Sequence, residues 1–251
     1  MDFNFPSQDD PRRLEVRNWL EQRRKVSYRE LAEQGFAAAH WSKPWGLAAS
    51  PEMQLIIDDE LARARIRSPH HVNPVPINNC GQSLLKYGTE EQRQRFLRPA
   101  LACEEIWCML FSEPGAGSDV GALRTRASRD GDRYVIRGQK IWTSLADRAH
   151  LGVLVARTNP SAPKHEGLSQ FLIDMKSPGI TIRPIADMTG ESGEYSEVFF
   201  DDVIVPADRL IGHEGDGWKI SMQSCRPSAS PSRGSEPFGV RVHRRAICSM
   251  A

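Results

Sequence analysis

The chain has 251 residues, of which 39% are hydrophobic and 26% charged, with a formal charge of +1. That length fits one large domain or two modest ones, each able to bury a core, and the near-neutral charge favours neither nucleic acid nor a membrane surface as partner. No apolar run approaches the roughly 20 residues of a membrane helix, and the N-terminus MDFNFPSQDDPRR has no apolar signal core, so a cytoplasmic protein is expected. Five cysteines with no CxxC pair fit reduced thiols rather than a disulfide framework.

The first hundred residues read as helical. Leu14, Val16, Trp19 and Leu20 form a rough helical stripe among charges. Ser50-Pro51-Glu52 is a helix start: serine accepts from free backbone N–H groups, proline suits the first turn, and glutamate favours the positive helix end. The run that follows places Leu55, Ile56, Leu61 and Ile66 inward, and leaves Asp58-Asp59-Glu60 as a solvated face with ion pairs to Arg63 or Arg65. Thr89 to Gln92 has capping-box spacing and opens another helix. The pair His70-His71 has no third ligand at regular spacing, so a solvated or hydrogen-bonded pair is expected and no metal site. Cys80 and Cys108 sit in apolar runs and read as inert core thiols.

The character changes near Ile106. From there to about Gly212 come IWCMLF, RYVIRG, LGVLVART, SQFLIDM, GITIRPI and EVFFDDVIVP, short runs rich in Val, Ile, Phe and Tyr between glycines and prolines. Such spacing predicts an antiparallel sandwich or barrel rather than βαβ units, and no GxGxxG is present. Asp201-Asp202 reads as a turn between strands. A helix begins again at Gly215-Asp216-Gly217-Trp218 and breaks after Met222-Gln223. Residues 224–251, rich in Ser, Arg, Pro and Gly, are expected to be disordered or an aberrant, out-of-frame end.

Two runs carry chemistry. In Met109-Leu110-Phe111-Ser112-Glu113-Pro114-Gly115-Ala116-Gly117-Ser118-Asp119 an apolar strand ends in a glycine-rich polar turn. It reads either as an ordinary tight loop or as backbone N–H groups and hydroxyls gripping a polar ligand. In Gly138-Gln139-Lys140-Ile141-Trp142-Thr143-Ser144 an indole precedes two hydroxyls, which is either a core tryptophan on a strand or a stacking surface beside donors for a planar heteroaromatic cofactor.

Together and in this order the two runs resemble the acyl-CoA dehydrogenase family. The likeness covers roughly residues 9 to 222 and includes VRNWL, YGTEEQRQRFL, FSEPGAGSD, GQKIWTS, GITIRPI, EVFFDDVIVPADRLIG and GDGW; it points to the branch containing many actinobacterial enzymes of lipid and steroid side-chain breakdown. The resemblance implies an α+β chain: an N-terminal helical domain over 1–105, a central β domain over 106–213, and at 214–223 the start of a C-terminal four-helix domain that is otherwise missing. It implies FAD as cofactor, an acyl-CoA substrate dehydrogenated to a 2-enoyl-CoA, an electron-transfer flavoprotein as acceptor, and a homo- or hetero-oligomer. Met109, Phe111, Ser112, Gly117, Ser118, Trp142, Thr143 and Ser144 are then the flavin-facing residues, and Ser118 also meets the acyl-CoA. Ser112 stands where the family often has threonine, and its hydroxyl preserves the hydrogen bond. No residue at or beyond the break matches the family's glutamate base, so no catalytic residue is assigned; the alternative role is a non-catalytic partner subunit or an inactive product.

Overall fold

The computed structural model describes residues 6–186, 188, 190 and 192–224. Helices come first: α1 Pro11–Glu21, α2 Tyr28–Glu33, α3 Pro51–Arg63, α4 Pro69–Val72, a π-helical turn Val75–Cys80, α5 Gly81–Tyr87 and α6 Glu90–Leu101. The expected caps are present. Ser50 accepts from the Met53 N–H, and Thr89 and Gln92 exchange bonds of 3.0 and 3.2 Å. A second capping box, Ser27 with Glu30, opens α2 and was not expected from the sequence.

Two readings of the helical half are corrected. Leu14 and Leu55 are exposed, whereas Arg13 and Glu60 are buried. The acidic run of α3 is therefore only partly a solvated face: Asp59 meets Arg63 at 3.1 Å as expected, but Glu60 turns inward and accepts from Arg13 (2.8 Å) and Arg17 (2.9 Å). A buried charge tolerates the interior when it is paired and hydrogen-bonded, and this pair displaces leucine from the stripe.

The strands follow: β1 Trp107–Leu110, β2 Arg126–Asp130, β3 Arg133–Ser144, β4 Leu151–Arg157, β5 Leu168–Asp174, β6 Ile180–Ala186, β7 Ser192–Pro206 and β8 Leu210–Ile211. They form one sheet ordered β6-β7-β3-β2-β4-β5-β8, with β1 also on β4. Five pairings are antiparallel and two, β1–β4 and β2–β4, are parallel, so the sheet is mixed. The forty residues from 111 to 150 give ample chain for the parallel return that a tight hairpin forbids. Asp201-Asp202 is not a turn. Both lie inside β7, at a bulge where Ile136 faces Val203 and Gly138 faces Phe200, and Asp202 (φ 50°) pairs with Arg137.

Helix α7, Gly217–Ser224, is the last described element; the tail predicted to be disordered lies, from residue 225, outside the described residues. The α7 backbone packs on β5 so closely that a side chain at Gly217 would strike Leu168 and Ser169, and Ser83 of α5 bonds both the Ile220 carbonyl (3.2 Å) and Ser224 (2.7 Å). One apolar cluster runs through α5, α6, β1, β4, β5 and α7, so helices and sheet share a core. Cys80 and Cys108 are buried, and burial pushes the Cys108 thiol well up.

Asn73 ties the helices to β1. It is fully buried, its amide donates to the Ala100 and Glu105 carbonyls at 2.9 Å each, and its oxygen accepts the Trp107 N–H at 3.0 Å. Asn73→Ala is expected to lower stability by about 2–3 kcal/mol, because it strands three buried backbone groups. Urea unfolding followed by circular dichroism measures this; an unchanged midpoint would mean those groups find other partners.

Candidate functional site

The two chemistry-bearing runs meet at the end of β1. As β1 ends, the Ser112 carbonyl accepts the Ile141 N–H of β3 at 3.0 Å, which lays the glycine-rich turn beside the Trp142 strand. Beneath this crossing Lys140 is 0% exposed and Glu113 8%. The Lys140 ammonium donates to the Phe111 carbonyl (2.8 Å) and to Glu113 (2.9 Å), and the Glu113 carboxylate also accepts the N–H groups of Arg124 (2.6 Å) and Thr125 (2.9 Å). Burial lowers Lys140 to about 8 against the pull of Glu113. Burial pushes Glu113 up, but Lys140, Thr125 and Arg124 outweigh it and hold the carboxyl below its ordinary value. The pair is thus ionised at neutral pH. Glu113, buried and held by Lys140 and two backbone N–H groups, is no general base.

The turn itself closes through mutual bonds between Glu113 and Ala116 at 2.9 and 3.0 Å. Gly115 and Gly117 are informative. Neither has the positive φ that demands glycine, and a side chain at either would meet only open space. The chain's own conformation and packing do not require glycine there, whereas close approach of a ligand to the backbone would. At the far end Asp119 pairs with Lys164 of the β4–β5 loop, and His165 from the same loop stacks on Trp218 at 3.9 Å.

On β3 the register against β7 runs Lys140 to Val198 and resumes at Thr143 to Ser196, so Ile141 and Trp142 together face the single residue Glu197. The extra residue is accommodated with Trp142 at φ 60°, a left-handed conformation that a bulky side chain rarely adopts. The bulge turns the indole outward, 46% exposed, with Tyr195 edge-on at 6.2 Å. Strained bulges of this kind gather at functional sites. The next residue, Thr143, is 1% exposed and its hydroxyl has no partner among the described residues.

The structure therefore brings together the segments bearing Met109, Ser112, Trp142 and Thr143. Met109 and Ser112 are half-buried, Gly117, Ser118 and Ser144 are exposed, and Phe111 is buried, with its ring in the shared core. An exposed indole beside an unpartnered hydroxyl and an open glycine backbone is a donor set that fits a planar heteroaromatic cofactor with polar edges. The Lys140–Glu113 pair was not among the residues expected from the sequence. Its only trace is the alternation Tyr134, Ile136, Gly138, Lys140, which points Lys140 inward.

The histidine pair lies elsewhere. His70 contacts the Ser68 hydroxyl at 2.8 Å and Asp58 at 3.5 Å beside a cavity of about 200 Å³ also lined by His40, Gln54 and Asn78, and burial lowers both His40 and His70. Among the described residues no group of three or more His, Cys, Asp or Glu is placed to hold a metal, and no helix is long and apolar enough to cross a membrane.

Comparison with known proteins gives the same picture. Residues 9–104 match the family model "Acyl-CoA dehydrogenase, N-terminal domain", and residues 108–203 match "Acyl-CoA dehydrogenase, middle domain". The chain is 45% identical over 207 residues to acyl-CoA dehydrogenase FadE34 of Mycobacterium tuberculosis, covering 82% of this chain and 28% of that one. Among solved structures, the Tcur3481-Tcur3483 steroid ACAD matches with a TM-score of 0.70 and 33% identity over 88% of this chain and 61% of that one. The ChsE4-ChsE5 complex from Mycobacterium tuberculosis matches with a TM-score of 0.70 and 35% identity over 88% and 60%. The chain spans little more than a quarter of the length of FadE34 and about three-fifths of each chain in those structures.

Proposed function

The chain belongs to the acyl-CoA dehydrogenase family, whose members are FAD-dependent flavoproteins, and from that premise we propose that turn 112–118 and strand 142–144 form the flavin-facing wall of an FAD site. The observation that carries the reading is the bulge: Trp142 is held outward in a strained conformation directly before a buried hydroxyl with no partner among the described residues. When bound, FAD supplies a hydride acceptor. The chain's own residues do the rest. Trp142 offers a flat apolar face, Ser112 and the Thr143–Ser144 segment offer donors to the ring's polar edge, and donors aimed at developing negative charge lower the barrier to its formation. Met109 and Gly117 shape the wall, Phe111 backs it from the shared core, and Ser118 at the rim meets the acyl-CoA.

The substrate in this reading is an acyl-CoA thioester of lipid or steroid side-chain breakdown, oxidised between Cα and Cβ, with an electron-transfer flavoprotein as acceptor and an oligomer as the working form. The helical unit 1–105 and β unit 106–213 would each contribute a wall of the acyl site. A second reading, a flavin-binding partner without a base of its own in a mixed assembly, is favoured by one observation: Glu113, the acid within the turn, is consumed by Lys140 and backbone donors.

Two measurements test this. Purified chain titrated with FAD is expected to quench flavin fluorescence and show a bound band near ~450 nm. Trp142→Ala is expected to weaken binding about 10- to 100-fold by removing a stacking face, with circular dichroism unchanged. A wild-type chain that takes up no FAD removes the reading. Anaerobic bleaching by an acyl-CoA separates the enzyme from the base-less partner.

A further inference from the structure

The Lys140–Glu113 pair lies two residues before the indole and one residue after Ser112, buried beyond reach of any ligand. We propose that it is a positioning pair, which clamps the turn to the strand and pins the bulge so that Ser112, Trp142 and Thr143 stand in a ligand-ready arrangement before FAD arrives. The proposal rests on the flavin reading above.

Three observations carry it. Lys140 is the last residue of β3 in regular register with β7 before the bulge. A bulge that slid past it would shift the following residues by one, and in a strand a one-residue shift exchanges the two faces. Trp142 would then be driven toward the position of the buried hydroxyl, and Thr143 outward. Second, the contacts are directional. One ammonium holds Phe111 and Glu113 at 2.8 and 2.9 Å, and the same carboxylate holds Arg124 and Thr125, so backbone on both arms of the turn is fixed relative to Lys140. An apolar pair of equal volume would fill the space without setting register, although well-packed apolar residues often give equal or better stability than a buried ion pair. Third, the strained φ of Trp142 persists only if the surroundings over-determine it, and the Ile141–Ser112 bond and the Lys140 contacts are the constraints immediately N-terminal to it.

The test uses the full chain and four variants: Glu113→Gln, Lys140→Gln, the double Glu113→Gln/Lys140→Gln, and Leu61→Ala in the separate helical cluster as a destabilised control. FAD affinity is read by fluorescence titration, the bound flavin by its absorption band, and the apo bulge by hydrogen exchange at the Ile141 amide. Each single variant is expected to weaken FAD binding by roughly 10-fold or more and to speed Ile141 exchange by a similar factor, since a supporting shell about 1 Å too loose spoils a site. Leu61→Ala should change neither by more than about 3-fold while folded. The double variant, which buries no charge, should regain thermal stability over the singles yet stay weak for FAD with an altered band. Recovery of FAD affinity together with stability in the double, or equal losses in Leu61→Ala, would reduce the pair to a packing element and overturn the proposal. Should the singles fail to fold, the double alone decides by the same criteria. Wild-type chain without FAD uptake overturns the flavin reading and this proposal together; uptake that all variants share overturns this proposal alone.

Discussion

Lys140→Met is expected to cost the fold about 3–5 kcal/mol, the largest effect of any single substitution considered, because it leaves the Glu113 carboxylate buried without its counter-ion. Methionine fills most of the volume and fits a strand, so the loss is electrostatic rather than steric. Two contacts go at once, the ion pair and the bond to Phe111, and with them the support they lend to the Ile141–Ser112 crossing. Equilibrium urea unfolding gives the value from the shift in midpoint at constant slope. A cost under about 1 kcal/mol would mean that water or a backbone shift rehydrates Glu113 at little expense.

Glu60→Ala is the second large expectation, about 3 kcal/mol. Glu60 is buried between α1 and α3 and neutralises Arg13, itself buried, and Arg17. Arg13 keeps Asp59 as a partner, which places the cost at the lower end of the range for a broken buried pair. The pH dependence has a definite sign. Hydrogen bonding from Arg17 first, and from Arg13, holds the Glu60 carboxyl below its ordinary 4.5 against the opposing effect of burial. Its folded value is thus below its unfolded one, so its contribution is complete above about pH 4.5 and is lost as the pH falls through the depressed value. The Glu113 carboxyl behaves with the same sign. Wild type should lose stability on acidification toward pH 3 more steeply than Glu60→Ala, and parallel curves would contradict the assignment.

Much of the architecture was legible in the residues. Caps at Ser50 and Thr89 and the run of short β-branched segments mark helices and then strands because both signals are local. What escaped was set by partners far along the chain. The phase of α1 and α3 was misjudged at Leu14 and Leu55 because Arg13 and Glu60, 47 residues apart, go inward together, and a hydrophobic pattern reads each of them as solvated. Asp201-Asp202 suggested a turn because bulges and turns draw on the same residue types. At the site, Trp142 and Ser112 were visible as residue types, but their juxtaposition depends on Lys140 reaching Glu113 across 27 positions, and no local periodicity encodes that.

The shared core has a consequence for how this chain is divided. Sequence families cut it near residue 105, where helices give way to strands. Energetically there is no seam at that point: Asn73 bonds both α6 and β1, the Gln92 amide holds the carbonyls of Asp208 and Leu210, and α7 returns from the end of the sheet to lie on α5. A gene severed between the two family segments would therefore yield halves that each expose a wet apolar wall, and that recover their shape only by finding each other.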